Sequence, residues 1–198
     1  MSDILCVTNR SLCTEDFLIR VEKLAEQHPK GIILREKDLS EESYKSLAES
    51  VIEICRRYDT PCILHNFYET ARKLNHTAIH LSMQKLRSLS EEERKAFSVL
   101  GASCHSVAEA KETEQLGCTY ITAGHIFDTD CKKGLPGRGI PFLREICQSV
   151  NIPVYAIGGI CAENMDMVRK TGAAGACVMS GAMVCEDAEK YLAAFEEK

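Results

Sequence analysis

The sequence predicts an α/β fold, a closed (β/α)8 TIM barrel filling residues 1–198 as a single domain, and three observations carry that expectation. Strand-like apolar runs recur at 4–8, 31–35, 62–65, 77–81, 99–103, 119–123, 154–157 and 176–179. Most are separated by segments of helical periodicity, so the chain repeats a β-α unit about eight times, and strands alternating with helices imply a parallel sheet. The third observation excludes the main competitor. An open, doubly wound sheet normally carries a glycine-rich phosphate turn after its first strand, whereas Thr8-Asn9-Arg10 holds no glycine.

The helices follow in order at 15–27, 43–58, 106–116, 142–150 and 162–171, where charged positions alternate with Leu, Val, Ile and Ala. Ser106 followed by Glu109 has the spacing of a capping box, and Gly117 and Gly172 stand where a helix hands over to the next strand. The fourth unit is the weakest, with only a short helical patch around 91–94.

Composition narrows the function. With 45% hydrophobic and 27% charged residues, the 198-residue chain is ordinary globular protein with enough apolar material for a sizeable core. A formal net charge of -5 with scattered basic residues argues against a nucleic-acid surface. The opening MSDILCVTNR lacks the pattern of a signal peptide, and no apolar run approaches the roughly 18 residues that span a bilayer, so the expected location is the cytoplasm, without a membrane partner. Eleven cysteines include no CxxC pair, and most sit singly in apolar runs, as Cys6, Cys62 and Cys177 do. They read as reduced core residues. No feature fixes the oligomeric state, and a homo-oligomer stays open.

Active sites of such barrels lie at the C-terminal ends of the strands. Past the sixth strand comes GHIFDTDCKKGLPGRG at 124–139, a loop too long for a simple connection, with Ile126, Phe127 and Leu135 to anchor it and a histidine, two acids, two lysines and an arginine among glycines. Past the second strand, alternation points Arg35 and Lys37 the same way if they remain strand-like, which suits an anion. The alternative is a solvated charged loop balanced by Glu36 and Asp38. His65 and Asn66 follow the third strand, and Ser82, Met83, Gln84 and Lys85 the fourth; His80, inside its apolar strand, reads as a hydrogen-bonded core histidine. Gly158-Gly159 and Ser180-Gly181 end the seventh and eighth strands. That is the usual phosphate site of these barrels, although glycines there also serve tight turns.

Taken together, Arg35-Glu36-Lys37, the run GASCHS at 101–106, the 124–139 loop, AIGGI at 156–160 and VMSG at 178–181 resemble the thiamine phosphate synthase superfamily over nearly the whole chain. The loop is more similar to the thiazole tautomerase (TenI-type) branch than to the synthase branch, which usually has proline where this chain has His125. The resemblance implies aromatisation of a carboxythiazole ethyl phosphate, with His125 transferring the proton, assisted by Arg35 and Lys37. Ser103, Thr129, Lys132, Gly158, Gly159, Ser180 and Gly181 would bind the thiazole phosphate, and His105 stands in reserve for the proton transfer. It implies no cofactor. The synthase alternative, joining a pyrimidine to the thiazole phosphate, would need Mg2+, yet Asn66 and Lys85 stand where that branch has carboxylates. A non-catalytic regulator that binds thiazole phosphate is the other alternative.

Overall fold

The computed structural model describes residues 3–129, 132 and 134–196. Eight parallel strands, β1 (Ile4–Val7), β2 (Gly31–Leu34), β3 (Cys62–His65), β4 (Ala78–Ser82), β5 (Val99–Cys104), β6 (Tyr120–Gly124), β7 (Val154–Ile157) and β8 (Gly175–Val178), follow one another around a closed barrel in chain order. The expected (β/α)8 fold is therefore present. Packing divides the chain into two compact units, Met1–Ile79 with Val178–Lys198, and His80–Cys177.

In the first unit β1 to β3 are buried along their whole length, as expected of a parallel sheet covered on both faces. Cys6 lies opposite Ile32 and Ile33 opposite Ile63. Helix α1 (Phe17–Ala25) starts at Asp16, whose side chain accepts the N–H groups of Leu18 and Ile19, and α2 (Glu41–Arg57) starts at Ser40. Tyr44 is the link between α2 and the sheet. Its buried hydroxyl donates to Leu34 O at 2.7 Å and accepts the His65 N–H at 2.9 Å, tying the ends of β2 and β3 to one side chain. The ring of Phe67, which precedes α3 (Tyr68–Lys73), stacks on Tyr44 with centroids 3.9 Å apart.

The second unit contains two short helices where only a patch was expected, α4 (Met83–Ser88) and α5 (Glu91–Lys95), begun by the side chains of Ser82 and Ser90. Three longer helices follow, α6 (Val107–Gln115), α7 (Gly139–Ser149) and α8 (Ala162–Arg169). Ser106 caps α6 as expected, but the reciprocal half of the box is shifted by one residue: Glu109 accepts the N–H of His105 at 2.6 Å. Gly117 and Gly172 close α6 and α8 with φ of 86° and 90°. The chain then returns to the first unit through α9 (Ser180–Val184) and α10 (Ala188–Ala193).

Among the described residues ten cysteines are free thiols, with Cys6, Cys62 and Cys177 buried as expected; Cys131 lies outside the described residues. No described helix is long and apolar enough to cross a membrane.

Packing is least forgiving where β5 meets β6. Gly101 lies opposite Tyr120, and a Cβ at 101 would overlap the Tyr120 ring. That ring cannot move aside easily, because it meets Tyr155 edge-on at 5.8 Å and bonds His80 through its hydroxyl. Gly101→Ala should therefore destabilise the protein by about 1–3 kcal/mol, as overpacking does, read as a lower urea midpoint at unchanged slope.

Candidate active site

In the His80–Cys177 unit the inward positions of β5 and β6 carry Gly101 and Ser103 opposite Tyr120 and Thr122. Burial of His80, 3% exposed, makes its two ring nitrogens choose partners: Nδ1 lies 2.9 Å from the Tyr120 hydroxyl and Nε2 2.8 Å from Ser103 Oγ. Thr122 Oγ1 donates to the same Ser103 oxygen at 3.3 Å. The expectation of a hydrogen-bonded core histidine holds. Ser103 is half-buried near the C-terminal end of its strand, the end at which barrel sites lie.

The 124–139 loop is built on β7. Beyond β6 the chain keeps pairing with its neighbour, Ile126 N–H donating to Ile157 O at 2.9 Å and Phe127 N–H to Gly158 O at 3.0 Å. The returning end pairs back on the outgoing one, Arg138 N–H to His125 O and Gly139 N–H to Ile126 O, while Asp128 Oδ1 accepts the Gly137 N–H at 2.7 Å. Gly158 and Gly159 make this approach possible. Both have positive φ, 98° and 66°, and a Cβ on either would run into the loop, at His125 for the first and at Phe127 and the Asp128 carbonyl for the second. Substituting Gly159 would thus displace the loop before it reported on anion binding.

His125 is half-buried, and its Nε2 lies 3.1 Å from Leu135 O. A carbonyl can only accept, so Nε2 carries the hydrogen in that bond, and in the neutral ring Nδ1 holds the lone pair. His105, exposed past β5, spends Nδ1 on Gly124 O at 2.9 Å, which braces the residue before His125. Ile126 anchors the loop at 1% exposure, but Leu135 does not: its side chain is 59% exposed, and its carbonyl, not its apolar side chain, makes the useful contact. Lys132 is exposed, with its N–H on Thr129 O at 2.9 Å. Asp130, Cys131 and Lys133 lie outside the described residues.

Arg35, Lys37, Ser180 and Gly181 lie in the other unit. Strand β2 stops at Leu34, and Lys37 falls in an exposed turn, so Arg35 and Lys37 do not share a strand face. The expectation of a solvated charged loop is corrected at Glu36, which is 2% exposed. Its carboxylate accepts the Thr8 hydroxyl at 2.7 Å and the Arg10 N–H at 3.1 Å, and pairs with the Arg10 guanidinium at 3.2 Å. Arg10 also forks onto Asp38, holding that carboxyl below the usual range. Thr8 in turn accepts the Arg35 N–H at 2.9 Å. With Glu36 committed to Arg10, no described carboxylate pairs with the Arg35 guanidinium, whose nearest partner is Met179 Sδ at 3.9 Å. Ser180 is exposed at the start of α9, while Gly181 is the residue that lets Tyr191 pack, because a Cβ there would overlap its hydroxyl. No motif marks Thr8 and Arg10 for this role, which arises only when Glu36 meets partners 28 and 26 positions earlier.

Polar and cationic side chains at the carboxyl ends of parallel barrel strands define a class, the (β/α)8 enzymes that act on small molecules. Residues 4–182 match the model of the thiamine monophosphate synthase family, and the chain belongs to that family of thiamine-biosynthesis enzymes. Thiamine-phosphate synthase 2 of Streptococcus pneumoniae is 35% identical over 194 residues, covering 97% of this chain and 92% of its own. Thiamine-phosphate synthase of Fusobacterium nucleatum is 31% identical over 191 residues, covering 96% and 93%. Among solved structures, thiamine phosphate pyrophosphorylase of Pyrococcus furiosus superposes with a TM-score of 0.84 at 28% identity, covering 98% of this chain and 93% of its own.

The magnesium of the synthase branch fits these residues poorly. Neither 65–68 nor 82–90 contains an aspartate or glutamate, and an amide at Asn66 with an ammonium at Lys85 is a donor set that a hard dication does not favour.

Burial lowers the pKa of His80 to about 3, so the folded protein keeps it neutral where an unfolded histidine protonates at about 6.5. The folded-state value is the depressed one. Its contribution to stability is therefore complete above about pH 6.5 and is lost as pH falls toward 3. Denaturant unfolding between about pH 6 and about pH 4 should show a shallower pH dependence for His80→Gln than for the parent; equal slopes would assign the acid sensitivity to other groups.

Proposed function

We propose that this chain is a thiazole tautomerase-like isomerase that aromatises a carboxythiazole ethyl phosphate, with His125 carrying the proton. The observation that carries this reading is the fixed imidazole of His125, whose Nε2 is engaged by Leu135 O while Nδ1 keeps its lone pair. One proton leaves the ring carbon for that nitrogen and is returned to the exocyclic carbon, so the double bond shifts into the ring with no net change of charge. An imidazole nitrogen can take a proton and return it, so one side chain can serve both halves of the transfer. Arg35, with no described carboxylate partner, would take the substrate carboxylate, assisted by Lys37 or Lys132. Gly158, Gly159, Ser180 and Gly181 would take the phosphate, with Ser103 and Thr129 contributing hydroxyls.

A second reading has specific support. The relatives from S. pneumoniae and F. nucleatum are named thiamine-phosphate synthases, and at 35% and 31% identity those names favour transfer of a pyrimidine to the thiazole phosphate. Against it stand Asn66 and Lys85, which replace the expected carboxylates.

Two measurements separate these readings. His125→Gln keeps size and hydrogen bonding but removes the basic ring nitrogen, so tautomerase turnover should fall by roughly 100-fold or more while thiazole phosphate still binds. Affinity and rate falling together would reduce His125 to a loop-packing residue. Turnover in excess chelator should match turnover with added Mg2+; a thiamine phosphate product that forms only with the metal would transfer the assignment to the synthase.

A further inference from the structure

By residue type, a histidine 2.8 Å from a serine hydroxyl suggests a base activating a nucleophile. The surrounding hydrogen bonds run the other way. Tyr120 is 6% exposed, and among the described residues its hydroxyl has one hydrogen-bond partner, His80 Nδ1. A buried O–H left without an acceptor costs about 1–3 kcal/mol, so Tyr120 donates and Nδ1 must be the bare nitrogen. Neutral His80 then carries its hydrogen on Nε2 and donates it to Ser103 Oγ. Thr122, 2% exposed, likewise has one described side-chain partner, and its hydroxyl donates to the same oxygen. Both lone pairs of Ser103 Oγ are thereby occupied, and what remains is its own O–H.

We propose that His80 is a positioning residue that fixes Ser103 as an obligate hydrogen-bond donor, so that the position in front of Ser103 selects a ligand atom that accepts. Phosphate and carboxylate oxygens and an unprotonated ring nitrogen qualify. An N–H or ammonium group does not. Two donations into Ser103 Oγ also polarise its O–H and strengthen it toward an acceptor. The same wiring denies Ser103 a general base, because Nε2 has no lone pair to receive its proton. Desolvation keeps His80 neutral, and so keeps the arrangement in place, well into the acid range.

The statement about the ligand rests on the thiazole-phosphate reading; the statement about the tautomer does not, and the test treats them separately. In protein labelled with 15N at histidine, two-bond proton–nitrogen correlations should report His80 as the Nε2–H tautomer, unchanged from about pH 8 to about pH 5. A signal showing Nδ1–H, or averaging of the two nitrogens, would overturn the proposal whatever the protein binds. Calorimetry with thiazole phosphate supplies the second readout. Ser103→Ala and His80→Leu should each weaken binding by about 5- to 10-fold, the worth of one hydrogen bond. His80→Gln should recover most of the loss, because its amide can accept from Tyr120 and donate to Ser103. If Gln binds as poorly as Leu at a temperature where both variants are fully folded, the donor assignment is wrong. If the parent itself fails to bind thiazole phosphate, the functional reading falls, and the tautomer spectrum alone decides for or against the wiring of His80.

Discussion

The approach of the 124–139 loop to the end of β7 is the constraint on which the candidate site depends. Two backbone hydrogen bonds, from Ile126 and Phe127 to Ile157 and Gly158, fasten the loop to the end of β7 beyond β6. They exist because residues 158 and 159 have no side chains; any Cβ there would occupy the volume of the loop. His125 is thus carried on a segment whose next two residues are hydrogen-bonded to the end of β7. A functional residue on such a segment is held more tightly than one on a free loop. His105 adds a brace from the neighbouring strand by engaging the carbonyl of Gly124.

Charge beside β1 and β2 is arranged so that no described carboxylate pairs with the Arg35 guanidinium. Glu36 is nearly as buried as the aliphatic core, and its oxygens are taken up by Thr8 and by both the backbone and guanidinium of Arg10. A buried carboxylate needs this satisfaction to be tolerated at all. The result is a rigid base under Arg35, whose N–H is fixed through Thr8 while its guanidinium is not neutralised by the adjacent acid.

The barrel and the strand positions were legible in the sequence because parallel strands buried on both faces must be apolar throughout, and eight such runs leave few alternatives. The family resemblance was legible too. What could not be read was pairing over long separations. Glu36 looks like one member of a charged loop until Thr8 and Arg10, 28 and 26 residues earlier, are brought beside it. His80 reads as a core histidine, but the direction of its hydrogen bonds depends on Tyr120, 40 residues later. Leu135 misled for the opposite reason: an apolar side chain suggests an anchor, whereas its carbonyl is the group in use. Short α4 and α5 carry too few turns for periodicity to show, and only their serine caps mark them.

Tyr44 has a consequence for how this fold tolerates change. Its hydroxyl bonds the carbonyl of Leu34 and the N–H of His65, the groups just before Arg35 and Asn66. A phenylalanine would fill nearly the same volume, yet it would remove a partner from two buried backbone groups at once. This one oxygen makes the helix a splice between two strands, and a shift of α2 would be transmitted to the ends of β2 and β3.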